Sequence, residues 1–307
     1  MGGGRWNPSE WSSYTKTKSY DTKSTKQVFS SRSMHPDLDP KGVEFRESRD
    51  SEDNPNSTAV IVALDVTGSM DSVSDSMARK GLNSLATNIY DRKPISDPHI
   101  MMMGIGDAEA GDSAPLQTTQ FEADIRIAEQ LEKIWLEGHG GGNHYESYAL
   151  AWYFAAMHTQ IDCFEKRGKK GYLFTIGDEY PTPYIRSQDI KRVLGYTPER
   201  DFTSEELYEM VSRQYHVFHL MVEEGWNMSR YKNETIEKWS NLLGQRAIRL
   251  ADHTKMGEVI ISTIQLLEGE SQDTIVNSWD GDTSIVVKKA IQDITTDITG
   301  KSEVMEF

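Results

Sequence analysis

The 307-residue sequence predicts an α/β protein with a doubly wound, mostly parallel β-sheet flanked by helices on both faces. Two observations predict this class. Short apolar runs recur at "AVIVAL" (59–64), "IMMMGI" (100–105), "GYLFTI" (171–176), "VFHLMV" (217–222) and "AIRLA" (247–251), and runs of this length read as buried strands. The stretches between them are long and carry helical periodicity. Consecutive strands are therefore joined by crossovers and lie parallel, covered on both sides.

Each element follows in order. After the first run, Val73, Met77, Leu85 and Ile89 share one helical face. A weaker strand is expected at "PLQTTQF". Asp124 then stands as a cap before Ile125, Ala128, Leu131 and Trp135, and residues 147–161 form a nearly all-apolar helix. Further helices are expected near 185–194, 204–215, 234–243 and 256–268. Beyond Gly269, "SQDTIVNSWDGDTSIVVKKAIQDI" reads as an amphipathic element followed by a tail, without an evident place in the fold.

Residues 1–57 differ from the rest. They are rich in Ser, Thr, Lys, Gly and Asp and carry almost no apolar period, which reads as an extended polar arm. Trp6, Trp11, Tyr14 and Tyr20 are large anchors within it. Either they pack back on the body or they dock a partner. The expected organisation is an arm over 1–57, a domain over 58–268 and a C-terminal segment over 269–307.

The formal net charge of −15 argues against nucleic acid and anionic membranes, which require a basic footprint. A cationic partner or a bound cation fits better. A single cysteine, Cys163, excludes an intramolecular disulfide and thiolate metal clusters. No run reaches the roughly 18 to 20 apolar residues of a membrane span, and the opening "MGGGRWNPSEW" lacks an apolar leader core. The expectation is a cytoplasmic protein.

In open α/β sheets, ligands collect in the loops at the carboxyl ends of the strands. In the first such loop, D-V-T-G-S, Asp65 ends the strand, with Thr67 and Ser69 alternating on its side. One carboxylate and two hydroxyls make a hard oxygen site suited to magnesium, manganese or calcium; the alternative is a helix cap by Thr67 or Ser69. The second loop, "GHGGGNHYES" (138–147), opens the apolar helix. Asn143 and Glu146 match an N-cap and its partner three residues on, and either also offers oxygen to a cation. His139 and His144 admit zinc, without cysteine or an ordered third ligand beside them. In the third loop, "FTIGDEYPTP", a strand again runs into a carboxylate, Asp178. Two strands ending in aspartate at one face are hard to explain by packing, whereas a divalent cation between them offsets their repulsion. A further acidic loop, "GDAEAGDS" (106–113), is expected to be solvated, with Asp107, Glu109 and Asp112 as candidates for a second cation.

These residues resemble the von Willebrand factor type A (VWA) family, whose metal-ion-dependent adhesion site combines D-x-S-x-S or D-x-T-x-S, a polar residue in a mid-domain loop and an Asp ending a later strand. The resemblance covers 58 to about 268. It implies that Asp65, Thr67, Ser69 and Asp178 are metal ligands, directly or through water. The middle loop departs from the family's usual Thr: Asn143 is the favoured ligand and Glu146 the runner-up, with Glu146, His144 and Asp107 as additional or supporting groups. The implied cofactor is a divalent cation, Mg²⁺ before Mn²⁺ or Ca²⁺. The implied function is binding without turnover, an intracellular adaptor that captures a partner's Asp or Glu carboxylate. Company with AAA+ ATPases or products of a shared gene cluster is implied by the same resemblance.

Two other readings remain open. A haloacid dehalogenase type phosphohydrolase also starts from a strand-ending Asp, but it requires D-x-D where this chain has Thr67, and Thr182 stands where a further Asp is expected. A structural component of a virion or other assembly would use the N-terminal arm to lace subunits together.

Overall fold

In the computed structural model, the described residues are 4–295 apart from 6, 20, 21, 69, 71, 72, 74, 75, 77–79 and 139–141. The central sheet contains β1 (Thr58–Asp65), β2 (Pro98–Ile105), β3 (Leu116–Thr118), β4 (Gly171–Gly177), β5 (Tyr215–Val222) and β6 (Ala247–Leu250). Its order is β6-β5-β4-β1-β2-β3. Every neighbouring pair is parallel except β2 with β3. The fold is mixed α/β, with a central, mostly parallel sheet flanked by helices. From β1 the chain runs outward to β2 and β3 and then returns to place β4 on the other side of β1. The loops after β1 and β4 therefore leave the sheet side by side.

Although β1 is buried throughout, its side chains alternate between two cores. Val60, Val62 and Leu64 share one with Leu85 and Ile89 of α2 (Leu82–Arg92) and Val259, Ile260 and Ile264 of α8 (Met256–Leu267). Ala59, Ile61 and Ala63 share the other with α4 (Tyr148–Met157), α5 (Ser187–Leu194), α6 (Ser204–Val211) and α7 (Trp226–Leu243). α4 is the apolar run of the sequence, and Tyr148 through Ala155 are all buried. The short α3 (Arg126–Leu131) follows Asp124, whose carboxylate accepts the Arg126 amide at 3.0 Å. Among the described residues no helix is long and apolar enough to cross a membrane.

The first 57 residues depart from the extended arm expected for them. Helix α1 (Pro8–Lys18) is capped by Asn7, whose side chain accepts the Ser9 amide at 2.9 Å. Trp11, Val28, Phe29 and Leu38 are buried in the same core as α2 and α8. Arg46–Ser48 pairs in parallel with Thr159–Ile161, and Arg49 reaches Asp162 at 2.8 Å and Glu165 at 2.5 Å. The anchors are spaced irregularly over short elements, so they left no period to read. Trp6 and Tyr20 lie outside the described residues.

The segment beyond Gly269 is likewise integrated. α9 (Gln272–Asn277) and α10 (Gly281–Ile291) bury Ile275, Val287 and Ile291 in that core, and the Trp279 indole donates to Ser262 of α8 at 2.8 Å.

α7 starts at Trp226, eight residues before the expected start, and is kinked at Tyr231 (φ −119°, ψ 30°). Its first turn has an acceptor from elsewhere in the fold: the Asp178 carboxylate takes the Asn227 amide at 2.7 Å. A cap lying 49 residues away is invisible in local sequence. The capping box expected of Asn143 and Glu146 does not form, because α4 begins only at Tyr148. Tyr145–Glu146 pairs instead with Tyr180–Pro181 as a short parallel strand.

Candidate metal centre

The site is built where β1 and β4 end. Asp65 is fully buried in a tight turn that its own carboxylate closes. Oδ1 accepts the Thr67 amide at 2.9 Å and the Thr67 hydroxyl at 2.6 Å, the local bonding typical of an Asx turn. Oδ2 accepts the Tyr148 hydroxyl at 3.0 Å. Despite these bonds, burial and then the repulsion of Asp178 push the Asp65 carboxyl up to about 7.

Asp178, also fully buried, sits at the N-terminus of α7, where backbone amides and the helix dipole favour a carboxylate. The Asn227 side chain locks it further by donating to the Asp178 carbonyl at 3.0 Å. Two glycines make this convergence possible. A Cβ on Gly177 would lie 2.0 Å from the Tyr148 hydroxyl and 2.9 Å from Asp65 Oδ2, and one on Gly225 would lie 2.3 Å from the Asp178 Cβ. No residue larger than glycine fits at either place without displacing the site.

Glu146 (2% exposed) and Glu179 (7% exposed) complete the buried acidic group. Among the described residues, Oε2 of each has no hydrogen-bond partner. Burial, then repulsion from Asp65, Asp107, Asp112 and Glu179, holds Glu146 well above the usual carboxylate range. Burial and repulsion from Asp178, Asp65 and Asp107 push Glu179 up to about 8. Tyr148 stands among the same carboxylates, and its phenol is raised by burial and by their charge. Concentrated buried negative charge of this kind is costly unless protons or a cation offset it.

The remaining sequence candidates divide. Thr67 is buried with its hydroxyl on Asp65. The Asn143 amide nitrogen donates to Asp107 at 2.7 Å, and its oxygen accepts the Tyr145 amide at 3.2 Å, so its oxygen is already engaged within its own loop. His144 turns its Nδ1 to the Asn227 side-chain oxygen at 3.0 Å. The loop 106–113, expected to be solvated, instead buries Asp107 and Asp112, because Asp112 accepts the Asp107 amide at 2.8 Å and Asp107 accepts the Glu109 amide at 2.8 Å. Ser69 and His139 lie outside the described residues. Reading the sequence missed Glu179, Tyr148 and Asn227. Glu179 was in view beside Asp178 in "GDE", whereas only tertiary contact marks the other two.

The donors described at this centre are oxygens, and Glu146 Oε2 and Glu179 Oε2 lack hydrogen-bond partners among the described residues, so the donor set fits a hard divalent cation rather than zinc or copper. A separate triad follows β5 and β6, where ligand atoms of Glu224, Asp252 and His253 lie within 4.8 Å of one another. There His253 Nδ1 and Glu224 Oε2 pair at 2.6 Å.

No protein-family model matches the sequence, and no curated protein does. Solved structures are similar only at low identity. The pilus adhesin SpaC from Lactobacillus rhamnosus GG, in its open conformation, is 11% identical, with a TM-score of 0.46 over 74% of this chain and 31% of that one. A von Willebrand factor type A protein from Catenulispora acidiphila is 15% identical, with a TM-score of 0.39 over 76% and 50%. Proximal thread matrix protein 1 from the mussel byssus is 11% identical, with a TM-score of 0.41 over 75% and 47%. This chain thus spans less than a third of the adhesin and about half of the other two.

Proposed function

We propose that this chain is a VWA-like, doubly wound interaction module whose site holds a divalent cation, Mg²⁺ first, and that it acts as an intracellular adaptor by binding an acidic protein partner. The observation that carries the reading is that Asp65, Asp178, Glu146 and Glu179 are all buried within repelling distance of one another, with Glu146 Oε2 and Glu179 Oε2 lacking a hydrogen-bond partner among the described residues, although no three of the four bring carboxylate oxygens within 4.8 Å of one another. Asp65, Thr67 and Asp178 would hold the ion, joined by Ser69 as the sequence motif implies. From the middle loop, Glu146 is better suited than Asn143, because the Asn143 oxygen is already taken by Tyr145.

When bound, the cation supplies an electrophilic point for a partner's Asp or Glu. The chain's own residues set its strength. Asp65 and Asp178 supply carboxylate oxygens and Thr67 a neutral hydroxyl, so the first and third loops alone leave a divalent ion without an excess of negative charge. Thr67, in place of a second carboxylate, provides no acid or base next to Asp65, which favours binding over phosphoryl chemistry.

The test is thermal unfolding with and without MgCl₂, MnCl₂ or CaCl₂. Metal at a hundredfold over its Kd stabilises by about 2.7 kcal/mol, so Tm should rise in the native chain and stay put in Asp65→Ala and Asp178→Ala. No rise, or an equal rise in both variants, would sink the metal site. A pull-down from the native host that is unchanged by EDTA would sink the metal-dependent adaptor.

A further inference from the structure

At the rim of the acidic centre, two exposed aromatic side chains meet a half-buried histidine. Trp226 and Tyr231 are 44% and 39% exposed. Between them stands His144, its ring nearly parallel to Trp226 at 6.3 Å and edge-on to Tyr231 at 4.8 Å. The backbone around them is unusual: His144 has φ +63°, and Tyr231 marks the kink of α7. Such sparsely populated conformations persist where the surroundings enforce them and gather at functional sites. His144 Nδ1 is joined to the side chain of Asn227, the same residue that grips Asp178. The aromatic rim and the carboxylate centre are therefore one connected construction.

Its charge is equally distinctive. Arg230 lies over the Trp226 ring at 4.1 Å and makes no ion pair among the described residues. Lys238 stands over Tyr180 at 4.9 Å, with Glu234 at 3.5 Å from it. In a chain of net charge −15, Arg230 places an exposed positive charge beside two exposed aromatics. Aromatic residues and arginine are also the side chains that dominate binding energy at protein interfaces.

The geometry points to a docking platform, formed by Trp226, Tyr231, His144 and Arg230, for an acidic peptide segment of a protein partner. That segment carries an aromatic or leucine side chain next to its Asp or Glu. The apolar side chain lies against Trp226 and Tyr231, a flanking acid meets Arg230, and the neighbouring carboxylate turns toward the centre at Asp65 and Asp178. This inference rests on the function proposed above and specifies the partner's chemistry for it.

The experiment pans a phage-displayed library of random dodecapeptides on the full chain in MgCl₂, eluting with EDTA. Selected peptides should share an Asp or Glu beside an aromatic or leucine residue. Their affinity should fall roughly tenfold or more in Trp226→Ala, in Tyr231→Ala and in Arg230→Glu, while the Mg²⁺-induced rise in Tm stays at its native value in all three. Peptides that bind these variants as well as the native chain overturn the platform and leave the metal reading standing. An Mg²⁺-dependent Tm rise with no EDTA-eluted peptides also overturns it. A native chain whose Tm ignores all three cations overturns the metal reading itself, and the platform with it.

Discussion

The buried carboxylates predict an unusual pH dependence of stability in the metal-free protein. Glu179 titrates at about 8 in the fold against 4.5 for the free side chain, and Glu146 is raised as well. A raised acid binds more protons folded than unfolded between the two values. Its contribution is thus fully present below the unfolded pKa and is lost as pH rises through the folded one. The buried His99 and His219 and the half-buried His216 act oppositely. Burial lowers His99 and His216 to about 4 and His219 further, so stability increases with pH up to about 6.5 and is then flat with respect to them.

The window from pH 6.5 to 8 therefore isolates the acids. One pKa unit corresponds to about 1.4 kcal/mol, so 1.5 units cost about 2 kcal/mol for Glu179, and the raised Glu146 and Asp65 add to the loss in the same direction. At roughly 2 °C per kcal/mol for a chain of this length, Tm in EDTA should fall by about 4 °C or more between pH 6.5 and 8. Differential scanning calorimetry across that range measures it. Glu179→Gln should flatten the alkaline side, and Mg²⁺ should do the same in the native chain. A Tm that is level or rising from pH 6.5 to 8 in EDTA would falsify the account of these carboxylates.

Three further expectations follow from packing. Gly177→Ala drives a methyl into Tyr148 and Asp65 and should cost about 1 to 3 kcal/mol in urea unfolding; adding Tyr148→Phe should recover part of that loss, and a strictly additive double variant would contradict the contact. Trp11→Ala removes a buried anchor and should cost about 3 kcal/mol while speeding tryptic cleavage at Lys16 and Lys18; unchanged cleavage would mean that α1 is not held by Trp11. Asn227→Ala loses the side-chain bonds to Asp178 and His144 and should cost about 1 to 3 kcal/mol, with weaker Mg²⁺ stabilisation; a variant as stable and as responsive as the native chain refutes the bridging role.

The strands and most helices of the body were legible because their signals are local. Val60, Val62 and Leu64 alternate with Ala59, Ile61 and Ala63 in a run too short for a helix, and both sets are buried as the pattern requires. α1 and α10 were not legible as parts of the core, because each supplies only a few anchors, such as Trp11, Val287 and Ile291, within otherwise polar sequence. The early start of α7 was hidden for another reason: its acceptor is Asp178, on a different strand.

For the candidate site, sequence alone determined which carboxylates end the strands, since an apolar run terminating in Asp65 or in Gly177-Asp178 is a statement about consecutive residues. It also limited the donors to oxygens at those two ends, which is what makes a hard cation the natural ligand. The tertiary structure decided how much charge gathers there and who shares it. Tyr148, Glu179 and Asn227 join the site through hydrogen bonds that span 31 to 83 residues, Glu146 enters beside them through the pairing of Tyr145–Glu146 with Tyr180–Pro181, and only the parallel placement of β1 beside β4 brings those segments together. Burial then raises the carboxyls, and burial is a property of the packed sheet and helices rather than of any stretch of chain.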